Sequence, residues 1–169
     1  MKQIVIINPE GVSDKETLNY KTREASRAVV FDDEKNVALL HATKYDYYKL
    51  PGGGIEKNED PEKALRRECL EEIGCDVEIV KALGTILEYR KKFDLKQTSH
   101  CYIAKVVGEK GIPHLMEDEI EEGFQTVWLP IREALDKVSS GERKIYEAQY
   151  MIARDTMILK KAVEAKVLY

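Results

Sequence analysis

Apolar residues recur at two periods along the chain, and the switches between them mark out its elements. "QIVII", Gln3 to Ile7, is apolar and β-branched and is stopped by Asn8-Pro9 and Gly11, which predicts a first strand. Residues 12–19 are polar and predict loop. "REASRAVVFDDEKNVALLHATK", from Arg23 to Lys44, predicts two strands joined by a turn near Asp32–Asn36. "YYKLPGGGIE", from Tyr47 to Glu56, reads as a short strand entering a glycine-rich loop. A helix follows, with Asp60 as N-cap, Pro61 in the first turn and Gly74 just past the end. Cys75–Arg90 and Gln97–Glu109 predict two paired strands, and Lys91–Lys96 a solvated turn between them. A loop runs to about Glu122, then a strand over Phe124–Pro130, a helix over Ile131–Gly141 and a longer helix at about 142–165. These elements imply an α/β (α+β) fold, one mixed sheet covered by helices on both faces.

The helix after the glycines breaks the usual pattern. At about 100° per residue, Pro61, Ala64, Leu65, Cys69 and Ile73 share one arc that should face the core. Glu68 and Glu72 fall inside that arc, and Glu71 lies at its margin. A solvated charge run would place its acids opposite the apolar residues. Like charges at i,i+3 and i,i+4 each cost a few tenths of a kcal/mol, roughly, and partial burial costs more unless a cation offsets it. Arg67 offsets one charge. A hard divalent cation would offset the rest, and all-oxygen donors select Mg²⁺, with Mn²⁺ as a substitute. Gly52, Gly53 and Gly54 let the backbone approach a ligand closely beside these acids.

Composition narrows the function classes. The 169 residues suit a single domain, 1–169, with 43% hydrophobic and 34% charged residues. Net charge is −4 and the pI about 5.6, a poor match to non-specific nucleic-acid binding. Cys69, Cys75 and Cys101 are odd in number and form no CxxC pair, so they read as thiols in a reducing compartment. The apolar run before Asn8-Pro9 is too short for a signal peptide or a membrane span, and the protein is expected to be cytoplasmic.

Gly53, Glu59, Arg67, Glu68, Cys69, Leu70, Glu71, Glu72, Ile73, Gly74 and Cys75 resemble the signature of the Nudix hydrolases, G-x5-E-x7-R-E-U-x-E-E-x-G-U, where U is a bulky apolar residue. Every fixed position matches; the two U positions are cysteines, which touches packing rather than chemistry. The resemblance implies a Nudix-type α/β/α sandwich and hydrolysis of a diphosphate link in a nucleotide by water attack on phosphorus. It implies Glu68, Glu71 and Glu72 as Mg²⁺ ligands, with the Gly52 carbonyl as a further one. Glu59 and Gly53 would support the metal site, and Arg67 would orient the glutamates. The general base would be Glu68, or a residue of the loop "MEDEIEEGFQTVW". In that loop Glu119 is a candidate base and Glu122 a candidate ligand; the alternative is a solvated acidic loop.

The resemblance also bears on substrate. ADP-ribose hydrolases of the family carry a proline about 15 residues past the box, and dinucleoside polyphosphate hydrolases a tyrosine slightly further on. Neither is present here. Nucleoside triphosphates, oxidised ones included, and nucleotide sugars remain, and a nucleotide-sensing module without turnover is a rival. One ring of Tyr45, Tyr47 and Tyr48 is a candidate for stacking on a base, with Tyr48 preferred, or for packing at a strand edge. Arg23 and Arg27 are candidates for a phosphate or for surface ion pairs. The three histidines are scattered and suggest no ligand set. The apolar stripe of the last helix would pack on the chain's own sheet or support a homodimer.

Overall fold

The computed structural model describes residues 1–166; residues 167–169, the end of the single domain expected from the sequence, lie outside the described residues. The strands are β1 (Gln3–Ile7), β2 (Lys21–Phe31), β3 (Asn36–Ala42), β4 (Tyr47–Lys49), β5 (Asp76–Arg90), β6 (Leu95–Val107) and β7 (Phe124–Pro130). The helices are α1 (Asp14–Thr17), α2 (Pro61–Ile73), α3 (Glu117–Glu121), α4 (Ile131–Ser139) and α5 (Tyr146–Glu164). They form a mixed sheet in the order β1-β5-β6-β2-β3-β4, with β7 on the other edge of β3.

Strand β2 pairs parallel with β6 along its whole length, from Lys21 opposite Leu95 to Phe31 opposite Lys105. Its other edge meets β3 only at Phe31 opposite Val37. The sheet is therefore split between β2 and β3, and the glycine-rich loop fills the split. Ala28 N–H donates to the Pro51 carbonyl, Ser26 N–H to that of Gly53, and Ile55 N–H to that of Glu24. These bonds satisfy backbone groups on β2 that would otherwise be left unpaired.

Helices cover both faces. Leu65, Cys69 and Ile73 of α2 pack on Ala28, Val30, Tyr102 and Ala104. Ile158, Leu159 and Ala162 of α5, with Ala134 and Val138 of α4, pack on Val29, Leu39, Ile86 and Ile103. Full burial of each Val, Leu or Ile side chain among these contributes about 1.5–3 kcal/mol. Cys69, Cys75 and Cys101 are unpaired thiols inside these cores, and Trp128 packs half-buried against the α2 side, under Lys110. Among the described residues, no helix is long and apolar enough to cross a membrane.

The structure departs from the sequence reading in two loops. Residues 14–17 form a helical turn because Ser13 and Glu16 make a reciprocal capping box. Residues 117–121 form α3, where Glu119 reaches back to the Met116 N–H. The last helix begins at Tyr146 rather than at about residue 142.

Candidate active site

Helix α2 is fixed at both ends. Asp60 accepts from the N–H groups of Glu62 and Lys63, Pro61 opens the helix, and Gly74 closes it in the left-handed region. An Asp cap contributes about 1 kcal/mol. With its phase set, Ala64, Leu65, Cys69 and Ile73 are buried and carry Glu72 inward with them, 2% exposed. Glu72 is received by two donors: Gly52 N–H at 2.6 Å and Lys49 Nζ at 2.9 Å. Lys49 also lies 3.8 Å from Glu119 and stands over the Phe124 ring.

Arg67 gathers the other acids. Its Nε and Nη2 grip Glu59 at 3.0 Å each, and Nη1 donates to Glu68 at 2.8 Å and Glu71 at 3.2 Å. Nη2 also donates to the Gly54 carbonyl, which ties α2 to the loop. Two cations, Arg67 and Lys49, thus face five carboxylates. Burial, then the neighbouring Glu72 charge, hold the Glu68 carboxyl above its usual range, against the pull of Arg67. Burial is also the largest cause that pushes Glu119 up to about 7. The Arg67 bond holds Glu59 below the usual range, and the Glu59 contact leads those that raise Arg67.

The glycines are needed sterically. Gly52 has φ of +128°, and a Cβ there would fall 2.1 Å from the Ser26 carbonyl oxygen. A Cβ on Gly53 would fall 2.2 Å from the Glu68 carboxylate. The backbone therefore passes directly beside the acid.

Next to this cluster lies a cleft of about 460 Å³. Arginines 23, 27, 90 and 154, Lys49, Tyr45, Tyr47 and Phe124 line it, together with Asp118, Glu119, Glu122 and Glu147. Lys49 joins the two regions, since it lines the cleft and holds Glu72.

Gly52, Gly53, Glu59, Arg67, Glu68, Glu71 and Glu72 thus come together as the sequence suggests, and Glu119 joins them through Lys49. Glu122 lines the cleft and accepts from the Tyr47 hydroxyl at 2.9 Å. Arg27 lines the cleft too. Tyr48 does not. Alternation along β4 turns Tyr47 to the cleft and Tyr48 to the opposite face, where its ring stacks on His41 at 4.2 Å. Of the three tyrosines, Tyr45 and Tyr47 line the cleft, and the preference for Tyr48 does not fit this placement.

Sequence reasoning missed Lys49, Arg90 and Arg154. Arg154 had a signal: Arg154-Asp155 interrupts an otherwise apolar stretch of α5, and both side chains are fully buried. Among the described residues, no three acidic, histidine or cysteine side chains converge as a ready metal cluster. Arg67 and Lys49 hold the acids instead.

The chain belongs to the Nudix domain family, whose model matches residues 21–149, and is thereby a hydrolase acting on acid anhydrides. It is 29% identical over 133 residues to diphosphoinositol polyphosphate phosphohydrolase 2 of Rattus norvegicus, covering 78% of this chain and 69% of the relative. It is 28% identical over 145 residues to the 3-beta enzyme of Bos taurus, covering 85% and 79%. Among solved structures, a Nudix hydrolase from Nitrosomonas europaea superposes with a TM-score of 0.65 at 18% identity, over 86% of this chain and 91% of that one. The C. elegans Ap4A hydrolase gives 0.60 at 17%, over 86% and 98%. These confirm the α/β/α sandwich on a mixed sheet.

Proposed function

We propose that this hydrolase is Mg²⁺-dependent, with Mn²⁺ as a substitute, and cleaves the diphosphate link of a nucleotide. The observation that carries the reading is the inward placement of Glu68 and Glu72 beside the glycine loop, in a cluster where two cations face five carboxylates. That deficit of positive charge, with oxygen donors alone, fits a hard divalent cation. Glu68, Glu71 and Glu72 would hold it, with the Gly52 carbonyl beside them and Glu122 as a further ligand from the cleft. Bound there, the ion would neutralise diphosphate charge and lower the pKa of the attacking water.

The chain's own groups do the rest. Arg67 and Glu59 fix the rotamers of Glu68 and Glu71. Glu119 suits a general base, since it lines the cleft beside the glutamate cluster, 3.8 Å from Lys49. Lys49 holds Glu72 in place and stands ready as a donor to a phosphate oxygen. Tyr45 and Tyr47 flank the cleft where a base would lie. A second substrate reading is favoured by the relatives, whose names make them diphosphoinositol polyphosphate phosphohydrolases.

The test is product analysis by ³¹P NMR. Nucleoside triphosphates, nucleotide sugars, ADP-ribose and a diphosphoinositol polyphosphate are each incubated with Mg²⁺, and with EDTA. Metal-dependent release of a nucleoside monophosphate from one of the nucleotides is expected. Release from the inositol compound alone moves the substrate to the second reading. No product from any of them with folded protein and metal sinks both.

A further inference from the structure

The arginines of the cleft are not explained by the fold. Arg154 is accounted for: it is fully buried, and Asp155 takes its Nε at 2.7 Å and Nη2 at 3.2 Å. Asp155 in turn accepts from the Leu50 N–H at 2.9 Å, which anchors the start of the glycine loop. Arg90 has one carboxylate, Glu88 at 3.1 Å, and its buried Nε has no partner. Arg27 is 6% exposed and, among the described residues, donates only to the Ser26 carbonyl, its Nε likewise buried without a partner. Arg23 donates to Gln97 at 2.8 Å. Among the described residues, neither Arg23 nor Arg27 has a carboxylate within ion-pair distance. Of the four guanidinium groups, Arg90 and Arg154 are thus paired, with Glu88 and Asp155, and Arg23 and Arg27 are not.

The location is specific. Arg23 and Arg27 sit on the same face of β2, four residues apart, directly behind the loop. A Cβ on Gly52 would fall 3.0 Å from the Arg27 Cα, and one on Gly54 would fall 3.0 Å from Arg23 Nη2. Between them, Gly53 abuts the Glu68 carboxylate. One turn of loop therefore separates the acids from the unpaired arginines. The acids of the cleft come from elsewhere, Asp118, Glu119 and Glu122 at α3 and Glu147 at the start of α5.

We infer that Arg23, Arg27 and Arg90 form a subsite for a phosphate group of the substrate lying outside the scissile diphosphate. The inference rests on the reading of the neighbouring acids as the diphosphate-cleaving site. Guanidinium forks match phosphate oxygens geometrically, and an oxyanion in the cleft would supply the counter-charge that Arg23 and Arg27 lack. It would also offset the mutual repulsion. Burial first, and then the Arg154 charge, draw Arg27 down to about 10, so it remains cationic at neutral pH while awaiting a counter-charge. Such a phosphate could be the terminal group of a longer polyphosphate chain or a phosphomonoester on another part of the molecule.

Equilibrium titration of the full chain in EDTA separates binding from turnover. The probes are ADP, ATP, inorganic tripolyphosphate and a multiply phosphorylated cyclitol, against wild type, Arg23→Gln and Arg27→Met. The phosphate-rich probes are expected to bind at least tenfold tighter than ADP, and both variants to lose most of that margin. Preference for ATP and tripolyphosphate assigns the phosphate to a linear chain; preference for the cyclitol assigns it to a ring; both support the subsite. Arg27→Met is expected to melt no lower than wild type, because it removes an unpaired buried charge. Unchanged margins in folded Arg23→Gln protein overturn the proposal, as does a sharply lower melting temperature of Arg27→Met with margins intact. A Glu72→Gln variant that keeps the margin while wild type hydrolyses nothing would sink the catalytic reading and leave the subsite standing.

Discussion

The two sides of the glycine loop hold their charges differently. On the α2 side, five carboxylates face Arg67 and Lys49. On the cleft side, Arg90 and Arg154 pair with Glu88 and Asp155, while Arg23 and Arg27 of β2 have no ion-paired carboxylate among the described residues. The acids of α2 would complement a cation, and the unpaired arginines a phosphate. The fold holds them about one loop apart because β2 and β3 separate after a single paired position.

The comparison can be broken at several points. The largest effect is expected from Glu72→Gln, which keeps volume and removes one buried charge. Turnover should fall roughly 10²–10⁴-fold, the span for a positioned group acting in the transition state, and the melting temperature should fall as well, because Lys49 loses its buried carboxylate partner. Steady-state kinetics with a melting curve checks both. A variant that turns over like wild type removes Glu72 from the chemistry.

Next comes the loop itself. Gly52→Ala drives a Cβ into the Ser26 carbonyl at a φ that L residues avoid, so it should destabilise by about 2 kcal/mol or more. Gly53→Ala meets only the flexible end of Glu68, so it should cost about 1 kcal/mol or less and still lower activity by displacing that carboxylate. Urea denaturation of both variants orders them. Equal losses of stability would mean that the loop does not discriminate backbone from side-chain contact.

Arg67→Ala sharpens the α2 side. It leaves Glu59, Glu68 and Glu71 without their shared donor. Hydrogen bonds to charged groups are worth about 1.5–3 kcal/mol, and partial exposure of Arg67 places the loss at the low end. Added Mg²⁺ should recover much of it, which calorimetric scans with and without metal would register. Recovery no greater than in wild type would argue against a cation among these acids.

The smallest effect is a pH slope. The Glu119 carboxyl stands at about 7 in the fold, above its ordinary 4.5. The folded state therefore binds the proton more tightly than the unfolded chain. In EDTA, stability from this group is fully present below pH 4.5 and is lost as pH rises through 7. Glu119→Gln should flatten that decline. An identical slope in the variant would assign it to another group.

Much of the α2 side was legible because its determinants are local. A cap, a helical period and a fixed spacing place Glu68, Glu71 and Glu72 on the inward edge of one helix, where the fold holds them. Tyr48 was misplaced because alternation along a three-residue strand cannot be phased until its partner is known. Lys49, Arg90 and Arg154 went unread because they lie on three elements far apart in sequence. No local period relates them to Arg23 and Arg27.

By itself, then, the chain's order of residues determined the family, the sandwich of helices on a mixed sheet, and the acidic face of α2, all of which follow from short-range spacing. Tertiary structure alone decided that β2 would part from β3, that the loop would fill the opening, and that Asp155 of α5 would anchor it at Leu50. These depend on which strand edges are left unpaired once the sheet has formed, a property of long-range pairing that no window of sequence contains.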